Sequence, residues 1–179
     1  MSRRGIVQLL LLGASTVALW TAALPAGAVP GGRAVPMQSL EAGVLADVNA
    51  LRRAHGMGAL RLSPALSNAA RQHSMEMATR GYFAHNSANG VSFDKRIARF
   101  YSIGFNHFWS VGENLLWSSP DVDPPRAVTM WMNSPEHRAN LLNPAWREIG
   151  LSGLHLDAAP GAYGGQAVTI LTADFGVRR

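Results

Sequence analysis

The stretches VGENL (residues 111–115) and WMNSPEHRANLL (residues 131–142) decide how this chain folds. The first places a lone acid, Glu113, among apolar residues where the pattern indicates the end of a strand. The second contains Ser134-Pro135, a capping residue followed by proline, which predicts a helix with His137 in its first turn. A second histidine, His85, lies in the loop-like segment YFAHNS (residues 82–87). Two imidazoles and a carboxylate from three separate segments can meet only in a folded cleft, which is the predicted functional site.

Around these stretches, helical periodicity, capping residues and terminal glycines predict five helices. They are expected over residues 40–55, 64–80, 92–100 and 124–133, and from residue 135 onward. Ser39, Ser63 and either Asp121 or Asp123 are the predicted caps. The third helix is expected to pack Phe93, Ile97 and Phe100 against the core.

Strand-like segments follow near the end of the chain. Residues 147–156 and 166–177 predict two strands, joined as an antiparallel hairpin by the glycine-rich segment 158–165. Residues 109–116 supply a third strand. Helices around a small antiparallel sheet make an α+β layered domain.

The N-terminal residues 1–28 are typical of a secretory signal peptide. Arg3 and Arg4 precede an apolar run, and Ala26-Gly27-Ala28 supplies a cleavage signal, so the mature chain is expected to begin at Val29. An uncleaved membrane anchor is the alternative, because the run is nearly long enough to span a bilayer. The cleavage signal favours a secreted, extracellular protein with no stable membrane span after processing. Residues 29–39 are interpreted as a linker and residues 40–177 as the domain.

Composition excludes several classes of function. The chain has no cysteine, which rules out disulfides, a thiolate nucleophile and cysteine-ligated zinc. After loss of Arg3 and Arg4, 14 basic and 11 acidic residues remain, a formal charge of +3. The basic residues are scattered along the chain rather than clustered with aromatic residues, so no nucleic-acid partner is expected. No HExxH, GxSxG, Walker or GxGxxG motif is present.

Two of the cleft residues, His137 and Glu113, and the neighbouring Glu136 have alternative structural explanations. The positive end of the helix macrodipole keeps the His137 imidazole neutral, able to bind a metal or accept a proton, although a packed histidine would satisfy the same pattern. Glu113 needs a partner if buried, which a neutral histidine, a metal, backbone N–H groups or Arg138 would provide. Glu136 is explained by the same macrodipole and is not a predicted ligand.

Five ordered motifs give the chain a family resemblance. FAH (83–85), GENL (112–115), the stretch 131–142, EIG (148–150) and TADFG (172–176) together resemble the CAP superfamily, whose module is also called the SCP domain. This superfamily covers cysteine-rich secretory, antigen 5 and pathogenesis-related proteins. The resemblance covers residues 40–177, and the absence of cysteine is similar to the bacterial branch.

The resemblance implies a three-layer α/β/α sandwich with a small central antiparallel sheet and an open cleft. In the family, two histidines and two glutamates line that cleft, sometimes with a divalent metal. His85, Glu113 and His137 match three of these positions, whereas Asn133 or Ser134 occupies the position of the second glutamate. Glu136 is not expected to take the role of that glutamate.

We therefore expect a secreted CAP module that binds a small ligand, a lipid or a cell-envelope component in the cleft of His85, Glu113 and His137. His85 and His137 are the candidate ligands for zinc or another divalent metal, and no catalytic residue is assigned. Trp109, Trp117 and Phe83 are candidate apolar walls. One alternative is a metal-assisted hydrolase using the same three residues. Another is a structural envelope or spore-surface protein with a vestigial cleft.

Overall fold

The computed structural model describes residues 32–179, so the predicted signal peptide at residues 1–28 lies outside the described residues. No helix within this range is long and apolar enough to cross a bilayer. In chain order, the elements are β1 (Val35–Pro36), α1 (Gln38–Ala54), β2 (Arg61–Leu62), α2 (Pro64–Arg80), α3 (Phe93–Ala98), β3 (Trp109–Ser118), α4 (Pro124–Asn133), α5 (Pro135–Leu141), β4 (Glu148–Leu156), a single 3-10 turn (Gly161–Tyr163) and β5 (Val168–Arg178).

The strands form one sheet in the order β1-β4-β5-β3, with all neighbours antiparallel and β2 beside β4 in parallel. The predicted hairpin between the last two strands is confirmed. β3 pairs with β5 along its whole length, from Trp109 opposite Arg178 to Ser118 opposite Thr169. β3 therefore ends this order and leaves its outer edge to be covered by other elements.

Alternating side chains of the sheet face two helical layers. Leu171, Ala173 and Phe175 of β5 belong to the core that contains the inner faces of α1, α4 and α5. The intervening residues, such as Ile170, face the opposite side, where α2 and α3 pack. Because helices cover both faces, the predicted α+β class and the three-layer α/β/α arrangement are confirmed.

Helix α2 follows its sequence signals closely. The Ser63 hydroxyl accepts a hydrogen bond from the backbone N–H of Leu66 at 3.5 Å, and Gly81 ends the helix in the left-handed conformation. The predicted inner stripe is buried along its whole length, at Leu66, Ala69, Ala70, His73 and Met77. This helix positions His73 under the loop that carries His85.

Other boundaries differ from the predictions. α1 begins at Gln38, so Ser39 lies inside the helix and is not its cap. Of the two caps predicted for the fourth helix, Asp123 is confirmed: its carboxylate accepts from the N–H of Arg126 at 2.8 Å. Within the predicted linker 29–39, Val35–Pro36 pairs with β4. Two-residue strands such as β1 and β2 carry no periodicity, which is why the sequence did not indicate them.

Gly150 lets α2 lie directly on the sheet. A Cβ atom built at this position would stand 2.1 Å from the backbone carbon of Leu66 and 2.1 Å from the backbone nitrogen of Ser67. Backbone atoms in the middle of two packed elements cannot move aside individually, so the contact requires glycine.

We predict that Gly150→Ala destabilises the protein by about 3 kcal/mol or more, because the added methyl forces α2 away from β4. The matched control is Gly58→Ala, where the new Cβ has no neighbour within 4 Å. Urea unfolding of both variants measures the difference. Equal free energies of unfolding for the two variants would contradict this account of the packing.

Candidate functional site

A cleft of about 520 Å³ opens beside β3 and contains all three predicted site residues. Its lining residues come from the loop after α2, from α3, from β3 and from α5: His85, Phe93, Val111, Gly112, Glu113, Glu136, His137 and Asn140. Elements from both helical layers meet here because β3 is the edge of the sheet. Glu113 itself lies in the middle of β3, not at a strand end as the sequence suggested.

Glu113 is a buried carboxylate with two partners. Its side chain has 0% exposure, Oε1 lies 2.8 Å from Nδ1 of His85, and Oε2 forms an ion pair with Nη2 of Arg96. Arg138, one of the partners considered from the sequence, instead donates from Nε to the carbonyl oxygen of Met132 at 2.7 Å. The Glu113 charge is thus compensated from the α3 side of the sheet.

The loop that carries His85 is fastened by two buried side chains. Nη1 of Arg96 donates to the carbonyl oxygen of His85 at 2.8 Å, and Nε2 of His73 donates to that of Ala84 at 2.8 Å. Burial lowers the pKa of His73, which keeps this ring neutral. The His85 ring is 51% exposed and lies 6.2 Å from the Phe93 ring, between centroids. Arg96 therefore holds both the carboxylate and the backbone of the histidine that this carboxylate binds.

Side-chain amides attach α5 to β3 and so position His137. Nδ2 of Asn140 donates to the carbonyl oxygen of Glu113 at 3.1 Å and to Oδ1 of Asn114 at 2.8 Å. Nδ2 of Asn114 returns a hydrogen bond to the carbonyl oxygen of His137 at 3.0 Å. Gly112 leaves room for this contact, since a Cβ there would lie 2.9 Å from Oδ1 of Asn140.

His137 is held in its neutral form. Burial lowers its pKa, the nearby His85 lowers it further, and Glu136 opposes the shift. The sequence attributed a neutral ring to the helix macrodipole, whereas burial is the main cause in the structure. A neutral imidazole can accept a hydrogen bond or offer a lone pair to the cleft.

Asp174 is a second buried carboxyl group beside Glu113. The two residues are directly opposite in the β3–β5 register, and Asp174 has 0% exposure. No N–H donor and no hydroxyl group of residues 32–179 donates to its side-chain oxygens, and the carboxyl group of Glu113 is its hydrogen-bond partner. Burial and then the charge of Glu113 raise the pKa of Asp174 well above its ordinary value, while Arg96 opposes the shift. Asp174 is therefore a buried carboxyl group whose ionisation is strongly disfavoured.

Sequence reasoning missed the residues that organise the site. Arg96 lies next to Ile97 and three positions after Phe93. A cation on the apolar side of this short helix could have indicated a buried acidic partner. Asp174 is the one acidic residue of β5. Asn140 carried no distinguishing signal, since exposed helical asparagines are common.

The donor set limits what metal the cleft can accept. Within residues 32–179, no group of three His, Cys, Asp or Glu side chains is arranged to hold a metal ion. Both Glu113 oxygens and Nδ1 of His85 are engaged, so His137 and Nε2 of His85 remain as nitrogen donors. Neither Asn133 nor Ser134 lines the cleft. The residues fit a two-imidazole site open to water or ligand, and do not fit a cage of three protein ligands.

A smaller apolar groove adjoins the cleft and shares His137 with it. The groove has a volume of about 270 Å³ and is lined by Phe83, Leu115, Leu116, Trp117, Met130, Trp131, Ser134 and His137. Phe83 and Trp117, two of the predicted apolar walls, lie here. The third, Trp109, lines a separate recess near the end of α3. The polar cleft and the apolar groove thus meet at His137.

The model of the cysteine-rich secretory protein family, CAP, matches residues 45–154. The Bacillus subtilis protein YkwD is 33% identical over 116 residues, which are 64% of this chain and 42% of YkwD. The chain therefore spans less than half of that relative.

Solved structures share the fold. An outer surface protein from Borrelia burgdorferi has a TM-score of 0.66 at 19% identity, and the match covers 83% of this chain and 99% of that protein. An extracellular SCP-domain protein from Bacillus anthracis has a TM-score of 0.60 at 24% identity, with 79% of this chain and 41% of that protein covered.

We predict that Asp174→Asn changes how stability depends on pH. Since the pKa of Asp174 is raised on folding, the folded state holds this proton more tightly, and stability falls as pH rises above the ordinary aspartate range. Asparagine cannot ionise, so the variant should gain stability relative to wild type as pH rises, with little difference in acid. Urea unfolding of wild type and Asp174→Asn, from the ordinary aspartate pH range upward, measures this difference in stability. A difference that stays constant with pH, or one that the exposed control Asp157→Asn reproduces, would contradict the assignment.

Proposed function

The chain belongs to the cysteine-rich secretory protein family, and from this premise we propose that it is an exported module that binds an amphiphilic ligand of the cell envelope. The proposed site is the cleft of His85, Glu113 and His137. One observation carries the proposal: three side chains from separate segments line an open cleft that continues at His137 into an apolar groove. Such a site suits a molecule with one polar and one apolar end.

The polar end of the ligand would lie between the two imidazoles. His85 is oriented by Glu113, and the neutral His137 accepts a hydrogen bond from a hydroxyl or amide group. The apolar end would pack along Trp117 and Met130, which lie in the groove beyond His137. Burial of those groups would supply most of the binding free energy, and the imidazoles would orient the ligand.

Export is part of the proposal. The signal-like residues 1–28 support it. One structural relative is an extracellular protein and another is an outer surface protein. Both likenesses concern the fold, so a location outside the cell remains our inference for this chain.

A metal-assisted hydrolase is the second candidate. The hydrogen bond from Nδ1 of His85 to Glu113 is the arrangement by which metal-binding imidazoles are commonly oriented. His85 and His137 would hold the ion, and a bound zinc would supply an activated water. Glu113 would orient His85 and keep it in the tautomer whose Nε2 is free.

We predict that the exported protein, recovered from the medium or periplasm of an expressing bacterium, binds the fluorescent fatty acid cis-parinaric acid saturably. The double variant His85→Ala/His137→Ala should weaken this binding by about tenfold, because two polar contacts are lost. Fluorescence titration measures the affinity. Mass spectrometry of the same sample identifies the mature N-terminus.

The matched control is His55→Ala/His107→Ala, which removes two exposed histidines that do not line the cleft. Equal affinity in the cleft variant and wild type would overturn the proposed site. Zinc titration of the same proteins separates the second candidate. About one equivalent bound at micromolar zinc, and lost in the cleft variant, favours the hydrolase, whereas no uptake removes it.

A further inference from the structure

The loop between α3 and β3 exposes an unusual set of large apolar side chains. Within residues 99–108, which we term the aromatic loop, these are Phe100, Ile103, Phe105 and Phe108. The side chain of Phe105 is wholly open to solvent, with 105% relative exposure. The sequence placed Phe100 in the core, and the structure places it outside. Several large apolar side chains exposed on one loop are typical of an interaction surface.

The base of this loop is firmly held. The backbone N–H groups of His107 and Phe108 donate to the carbonyl oxygen of Arg179 at 2.9 and 2.8 Å, and the N–H of Arg179 returns a hydrogen bond to Phe108 at 3.0 Å. Nε1 of Trp109 donates to the carbonyl oxygen of the buried Tyr101 at 2.7 Å. The exposed side chains therefore project from a loop whose backbone is hydrogen-bonded at its base.

The surroundings of the aromatic loop are basic. The sequence contains no acidic residue between Asp94 and Glu113, and Arg99 and Arg179 form no ion pair with any other residue of the range 32–179. The Arg179 guanidinium lies 5.0 Å from the centroid of the Phe108 ring. Arg178 is partly offset by Glu148, at 3.9 Å. Apolar side chains surrounded by arginines are typical of surfaces that bind anionic lipid.

We propose that the aromatic loop docks the protein on an anionic lipid bilayer. Phe105 and Ile103 would enter the interfacial region, while Arg99 and Arg179 bind lipid phosphates. A second copy of this chain fits the aromatic loop less well, because two such loops in contact would bring arginines together without an acidic residue to pair with them. None of the loop residues lines the cleft, so this inference does not rest on the proposed ligand site.

The test is sedimentation of the exported, processed protein with vesicles. Wild type should bind phosphatidylcholine vesicles containing about one third phosphatidylglycerol at least about fivefold more tightly than pure phosphatidylcholine vesicles at about 0.1 M salt. Phe105→Ser should weaken binding to the anionic vesicles by about tenfold, because one large apolar contact is lost. Arg99→Gln/Arg179→Gln should weaken it by a similar factor and reduce its salt dependence.

Leu62→Ser is the matched control, since Leu62 is a 55% exposed apolar residue of β2 outside the patch. Equal binding of wild type to both kinds of vesicle, or equal loss in Phe105→Ser and Leu62→Ser, would overturn the proposal. The proposal would also be overturned if Phe105→Ser bound vesicles normally and if sedimentation velocity showed that the wild type is a dimer and this variant a monomer. Fatty-acid binding in the cleft should be unchanged in Phe105→Ser, which separates the two sites.

Discussion

The negative charge of a buried carboxylate must be balanced by hydrogen bonds or by an opposite charge. The residues that balance the charge of Glu113 also fix the positions of the elements around the cleft. The Glu113 side chain is inaccessible to solvent and is held by Arg96 from α3 and by His85 from the preceding loop. Removal of Arg96 would leave the Glu113 charge uncompensated in a low-dielectric environment, which is far more costly than a lost surface contact. Through this group, α3, the loop before it and the edge strand β3 are fixed relative to one another. Asp174 adds a neighbouring carboxyl group, which the same environment disfavours as an anion.

The cleft follows from the position of β3 at the edge of the sheet. An exposed edge would offer unpaired backbone groups, and here side chains from the helical layer cover them. Trp131 donates to the carbonyl oxygen of Leu115 at 3.1 Å, and Asn140 donates to that of Glu113 at 3.1 Å. These contacts bring His137 to the edge from one face of the sheet, while Glu113 and His85 approach from the other. Two layers meet at that point without closing over it, which leaves a polar cleft continuous with an apolar groove.

The sequence predicted the helices and strands of each layer better than the side-chain contacts between the layers. Ser63, Pro64 and Gly81 mark α2 because capping is local chemistry, and the motifs around Glu113 and His137 indicated both the family and the cleft. The partner of Glu113 could not be predicted in the same way. Arg96 and Glu113 are 17 positions apart and meet only after α3 packs on the sheet, so no local pattern favours Arg96 over Arg138. Two-residue strands and the exposure of Phe100 likewise depend on tertiary contacts.

The central claim is that Glu113 orients His85 by accepting a hydrogen bond from its Nδ1, which leaves Nε2 free beside His137. Long-range ¹H–¹⁵N correlation spectra of the imidazole side chains test it directly, with the His85 signals assigned by comparison with His85→Ala. At a pH where the ring is neutral, we expect His85 to carry its proton on Nδ1. A neutral His85 protonated on Nε2 would contradict the hydrogen bond and, with it, the arrangement of the site.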